Sequence, residues 1–189
     1  MTLAEIQSTL LLFEYYKGLG EKTFDQLTDE QLFFNADKTS NSIGSIVKHL
    51  SGNMLSRWTN FLTEDGEKKW RDRDAEFNNS IQSREELIEK WNDGWTCLFK
   101  ALLSIRTENL DQEIFIRNQG HSIGEAIQRQ LAHYAYHVGQ IVFLGKLAQQ
   151  EDWKSLSIAK GKSKSYNHEK FNDEKRTEHF TKEFKDKKS

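Results

Sequence analysis

The chain has 189 residues, 36% hydrophobic and 30% charged, which is enough for one domain with a core and too apolar for an intrinsically disordered chain. Its single cysteine, Cys97, excludes an internal disulfide and any cysteine-cluster metal site. The formal charge of -2 hides an acidic body, with 16 Lys and Arg against 23 Asp and Glu in residues 1–153, and a basic tail, with 11 against 6 in residues 154–189.

No apolar run approaches the roughly 20 residues that span a bilayer, and "MTLAEIQSTL" lacks the basic start and cleavage pattern of a signal peptide, so a cytoplasmic protein without membrane contact is expected. The expected organisation is one helical domain over residues 1–153 and a basic extension over 154–189. With an acidic body and no nucleic-acid-binding motif, the extension reads as a solvated tail or a partner-docking arm, and no nucleic acid is expected as a partner.

Proline is absent, and apolar residues recur at three- and four-residue spacing, so the fold class expected is all-α. A first helix runs from about Thr2 to Gly18, with Leu3, Ile6, Leu10 and Phe13 on one stripe, and stops at the glycines of "GLGEK". Thr28 with Gln31 three residues on marks a short helical turn. The second long helix starts after Ser42, buries Ile43, Ile46, Val47, Leu50, Met54 and Trp58, and ends near Leu62. About 20 residues follow, Thr63 to Gln82, too long for bare linker in a compact domain, and "KKWRDRDAEF" within them should pack over one end of the bundle.

"SREE" opens the third helix at Ser83, which turns Leu87, Trp91, Trp95, Leu98 and Leu102 inward until about Ser104. Cys97 falls inside it, in "WTCLFKALL", and reads as a small buried hydrophobe. "QEIFIRNQG", with Ile114 and Ile116 flanking Phe115, suggests a short extended piece. The fourth helix begins at Ser122, capped with Glu125, and continues to about Gln149. The tail shows no long period; a weak terminal helix is the most it suggests.

Three of six histidines fall on these helices: His49 on the second, His133 and His137 on the fourth. Residues four apart stack about 6 Å from each other on one helix face, so His133 and His137 can reach one ion together. Their face continues to Gln130, Gln140, Ile141 and Leu144 in a stretch with few charges, where imidazole nitrogens need partners. His49, beside Ile46, Leu50 and Asn53, offers a third nitrogen. Three imidazoles plus one open position would suit a divalent ion with room for substrate, whereas structural zinc sites are usually closed by four protein ligands. Spacing alone leaves hydrogen-bonded core histidines as the alternative. No His-Glu-x-x-His, no glutamate three residues before any histidine, no phosphate loop and no Gly-x-Ser-x-Gly elbow is present.

The order of one histidine early in the second helix and His-x-x-x-His in the fourth resembles the DinB/YfiT-like metalloprotein superfamily. "EYYKGLGEKTFDQLTDEQL", "NSIGSIVKHLSGNMLSRWTNFLTEDGEKKWRDRDAEF", "HSIGEAIQRQLAHYAYHVGQIVFLGKL" and "IAKGKSKSYN" are similar to an uncharacterised bacterial branch of it, over about residues 3–167. The resemblance implies an up-down-down-up four-helix bundle, commonly a homodimer, with His49, His133 and His137 as ligands of Zn2+, or of Ni2+ as the alternative. Better-known members are S-transferases that use bacillithiol, mycothiol or glutathione, among them a maleylpyruvate isomerase. A low-molecular-weight thiol as co-substrate and a small-molecule substrate are implied by it, with a hydrolase or a non-catalytic metal-binding bundle as the other readings.

Arg57, Arg71 and Arg73 could then hold a carboxylate of that thiol, since guanidinium pairs bidentately with carboxylates; the competing reading laces "WRDRDAEF" onto the bundle through Arg-Asp pairs. Asn53, one turn after His49, is a candidate for orienting a ligand or a bound water.

Overall fold

Thr2, Thr28, Ser42, Ser83 and Ser122 each accept a hydrogen bond from the backbone N–H three residues on, and each starts a helix. The side-chain oxygen satisfies one of the donors that a helix start leaves without an intrahelical acceptor. In the computed structural model, which describes residues 1–35, 37, 39–78 and 81–185, α1 spans Leu3–Phe24, α2 Asp29–Phe33, α3 Ile43–Trp58, α4 Arg73–Glu76, α5 Arg84–Leu103, α6 Ile123–Gln149, α7 Ser163–Asn172 and α8 Lys182–Lys185. A hairpin of β1, Glu113–Ile116, and β2, Gln119–Ser122, precedes α6, with Ile114 opposite His121. The described chain is mostly helical, an all-α fold with one small two-stranded sheet.

Four long helices, α1, α3, α5 and α6, share one core. Helix α3 packs chiefly on α5 and α1 chiefly on α6, while α3 meets α6 over a shorter seam. Where these helices converge, Phe13, Trp95 and Tyr134 are fully buried, with ring centroids 5.9–6.3 Å apart. Edge and tilted contacts of this kind suit the aromatic quadrupole.

Helix α1 continues to Phe24, six residues past Gly18 and four past Gly20, the glycines expected to end it. A Cβ at Gly20 would lie 2.5 Å from Cζ2 of Trp91, so the missing side chain makes room for an indole from α5, and that burial outweighs the glycine's poor helix propensity. Helix α3 instead stops at Trp58, short of Leu62, because Thr59 is extended and Asn60 takes a φ of 49°, a left-handed value that asparagine tolerates better than most residues.

The long connection after α3 holds its own short helix, α4, capped by Asp72. The extended piece is the hairpin. In the tail, α7 reaches α8 through Tyr166, which donates to Glu183 Oε1 at 2.9 Å. Tyr15 of α1 meets the rings of Phe180 and Phe184 at 6.0 and 5.7 Å, and Lys22 donates to the Phe184 carbonyl. The end of the described chain therefore lies against α1. Among the described residues no helix is long and apolar enough to cross a membrane.

Candidate metal centre

On α6 the fully buried residues Gln130, Tyr134, Val138 and Ile141 form the inner stripe, and His133 and His137 flank it toward α3. Their half-buried rings meet buried His49 across the α3–α6 seam. One ligand nitrogen from each of the three lies within 4.8 Å of the others, and Nε2 of His49 and Nε2 of His133 are 3.3 Å apart. The spacing argument for the pair and the placing of His49 beside it both hold in three dimensions.

The opposite nitrogens explain which atoms face inward. Nδ1 of His49 lies 2.8 Å from Glu76 Oε2; a carboxylate accepts, so His49 donates from Nδ1 and carries its lone pair on Nε2. Nδ1 of His137 lies 2.8 Å from the amide oxygen of Gln140 and is assigned the same way. Burial is the main reason that His133 is pushed down to about 3, with the other two histidines and Arg57 and Arg71 adding to it. Burial likewise lowers His137, partly offset by its bond to Gln140. Both shifts favour the neutral forms of His133 and His137, in which each ring keeps one lone-pair nitrogen able to bind an ion.

Glu76 is the first of three residues at this site that sequence reasoning misses. It is 5% exposed and comes from α4, 27 residues after His49. Burial would raise its carboxyl, but bonds from His49 and Arg71 prevail and hold it below the usual range. Arg71 clasps it with two bonds, Nε to Oε1 at 2.7 Å and Nη2 to Oε2 at 2.9 Å, in the planar fork that suits a carboxylate. The available signal is "WRDRDAEF" itself: a metal-ligating histidine ordinarily donates its second nitrogen to a carboxylate, and this dense stretch is expected to pack over one end of the bundle.

A cavity of about 270 Å³ opens over the histidines, lined also by Asn53, Arg57, Arg71, Arg73, Phe77, Arg117, Arg129 and Gln130. All four further candidates from the sequence thus border it, with unequal freedom. Arg57 is spent on structure, donating to the Gly66 carbonyl and to Glu67 Oε2 at 3.1 Å. Arg71 holds Glu76. The pairs that lace the loop are therefore Arg-Glu rather than Arg-Asp, since Asp72 caps α4. Arg73 lies over the Phe77 ring at 5.5 Å, and that ring stacks on His49 with centroids 4.8 Å apart. Asn53 accepts from the Tyr134 hydroxyl at 3.1 Å, and that hydroxyl accepts from Trp58 Nε1 at 3.1 Å. A buried chain thus fixes the amide at the cavity wall.

Arg117 and Arg129 were not foreseen. Arg117 sits at the hairpin turn, where it and Asn118 have φ of 56° and 59°. Asp65 accepts the backbone N–H of Glu67, Arg117 and Asn118 at 2.7–2.8 Å, and Gly66 donates to the Phe115 carbonyl at 2.8 Å. A hairpin 50 residues downstream is thereby pinned to the loop after α3 and becomes a wall of the cavity. Cys97 lies outside it, half-buried, with Sγ 3.6 Å from Thr59 Oγ1.

The donor set fits a divalent transition metal: three imidazoles, two of them with their outer nitrogens engaged, converge from two helices and leave a cavity beside them. A family model described as "Protein of unknown function (DUF1572)" matches residues 3–162. No curated protein and no solved structure matches the chain.

Proposed function

The chain belongs to the DUF1572 family, whose description names no activity, and we propose from its own residues that it is a metal-dependent enzyme of the DinB/YfiT-like type, an S-transferase for a low-molecular-weight thiol. The observation that carries the reading is the convergence of His49, His133 and His137 beside a cavity rather than inside a closed four-ligand shell. Zn2+ is the ion favoured, with Ni2+ second. When bound, such an ion supplies Lewis acidity at a coordination position free of protein, which makes a thiol there a thiolate at neutral pH.

The chain's own residues supply the rest. Glu76 and Gln140 orient His49 and His137, and Arg71 keeps Glu76 ionised and aimed. Phe77 shields one face of His49 from water. In this reading the four long helices form an up-down-down-up four-helix bundle, and a homodimer is supported by Tyr136, Phe143 and Leu147, which leave an apolar stripe exposed along the outer side of α6.

Elemental analysis of protein from metal-supplemented expression should find about one divalent ion per chain. His133→Ala should lose it while helical circular dichroism persists. The loaded protein should then consume thiol against an electrophile such as a haloarene or an epoxide. Absence of metal in the wild type overturns the metal reading; full metal without turnover for any thiol leaves the site and overturns the transferase.

A further inference from the structure

Five guanidinium groups border the cavity, those of Arg57, Arg71, Arg73, Arg117 and Arg129, and no carboxylate is among its lining residues. Two carboxylates behind the wall answer three of them. Glu67 Oε2 is 3.1 Å from Arg57, 3.6 Å from Arg71 and 3.0 Å from Arg117, while Glu76 holds Arg71. Arg73 and Arg129 have no carboxylate partner among the described residues. Arg73 rests on Phe77, and Arg129 donates to His121 Nε2 at 2.9 Å. Arg73 and Arg129 are thus left without a carboxylate counter-charge beside a partly enclosed space, before any metal ion adds its own charge. A cleft lined by one sign of charge focuses the field and concentrates ions of the other sign.

Gln130 gives a second, independent sign. It is 3% exposed, lines the same cavity, and its Oε1 is buried with no hydrogen-bond partner. A buried acceptor left without a donor costs free energy, which a ligand donating to it would offset.

We propose that this cavity binds a small molecule carrying an oxyanion, a carboxylate or a phosphate, held at the mouth by Arg73 and Arg129 with Arg117 beside them, and an N–H or O–H group that donates to Gln130. The three arginines come from α4, the hairpin turn and α6, so the mouth assembles only in the folded chain. Arg73 and Arg129 are the specificity-determining pair because their charge is not already neutralised within the protein. The proposal rests on the metal-centre reading only in that the reacting end of the molecule faces the three histidines.

The test is calorimetric titration of metal-free protein at pH 8 with malate, glycerol 3-phosphate and uncharged glycerol. At least one anion should bind and glycerol should not. Tighter malate identifies a carboxylate ligand, tighter glycerol 3-phosphate a phosphoryl one, and either result supports the site. Arg73→Gln with Arg129→Gln should weaken binding by about tenfold or more, as expected for charge-assisted hydrogen bonds, with circular dichroism unchanged. Gln130→Leu should weaken malate more than succinate, which lacks the hydroxyl. Anions that bind no better than glycerol, or a double variant that binds like the wild type, overturn the proposal. Because metal content is measured on the protein before the ion is stripped, a missing ion and a missing anion site give different results.

Discussion

Glu76→Gln removes one charge from the most enclosed part of the site and keeps the side chain's shape. In the wild type the Glu76 and Arg71 side chains are 7% and 2% exposed and joined by two bonds of 2.7 and 2.9 Å, with His49 as a third partner. The amide keeps one acceptor oxygen but leaves Arg71 with Glu67 Oε2, 3.6 Å away, as its remaining carboxylate. Breaking a buried ion pair from one side costs about 3–5 kcal/mol, and the surviving acceptor argues for the lower end, about 3 kcal/mol. For a chain of this length that is a fall in Tm of about 6–12 °C. Metal affinity should fall about 10- to 100-fold, because His49 loses the carboxylate that fixes its tautomer and ring. Urea unfolding of the apo protein measures the first effect and competition with a chromophoric chelator the second. The double variant Arg71→Met with Glu76→Leu separates them: with no charge left unpaired, stability should return to within about 1 kcal/mol of wild type while metal affinity stays low. A Glu76→Gln protein within about 0.5 kcal/mol of wild type and with undiminished affinity would refute the reasoning.

Other outcomes follow from individual contacts. Gly94→Ala should destabilise by about 1–3 kcal/mol, since its Cβ would lie 2.9 Å from the Ser51 Cα where α5 meets α3, and backbone cannot rotate away; Gly18→Ala, with nothing within 4 Å, should stabilise by about 0.5–1 kcal/mol, and chemical denaturation reads both. Asp65 is held below its usual 3.8 because three backbone N–H bonds outweigh its burial. A depressed folded value means that its contribution is present above 3.8 and is lost as pH falls through the folded value. Hydrogen exchange at Arg117 and Asn118 should therefore rise in acid relative to the core, and Asp65→Asn should show the same loss at neutral pH. Tyr134→Phe should cost about 1–2 kcal/mol in urea unfolding, because Trp58 Nε1 and Asn53 Oδ1 both lose a buried partner.

What could be read from the chain divides along physical lines. Helix starts at Ser42, Ser83 and Ser122 are local chemistry, a hydroxyl and the N–H three residues on, and they fall where the sequence puts them. The His133–His137 pair is legible because helical period fixes two residues on one face. Glu76 and Arg117 reach the cavity through a loop and a hairpin whose paths depend on contacts 50 residues apart, and no periodicity encodes those; Arg129, one turn before His133 on α6, is placed by the same helical period as the histidine pair. Gly18 and Gly20 look alike in the sequence, yet only Gly20 meets Trp91, and that contact comes from another helix. The C-terminal aromatics, spaced without a helical period, gave no sign that Phe180 and Phe184 would meet Tyr15.

The short seam between α3 and α6 bears on how this molecule comes apart. With α3 held mainly by α5 and α1 mainly by α6, the easiest large opening parts one helix pair from the other, and the three histidines stand on both lips of that opening. An ion held by all three acts as a rivet. It resists separation by RT ln(1 + [ion]/Kd), so a holding concentration 100 times Kd adds about 2.7 kcal/mol to the parting of the two halves and little to the fraying of either. The same joint would be the first to feel a chelator, and amide exchange along the facing sides of α3 and α6 would register its loss before the aromatic core does.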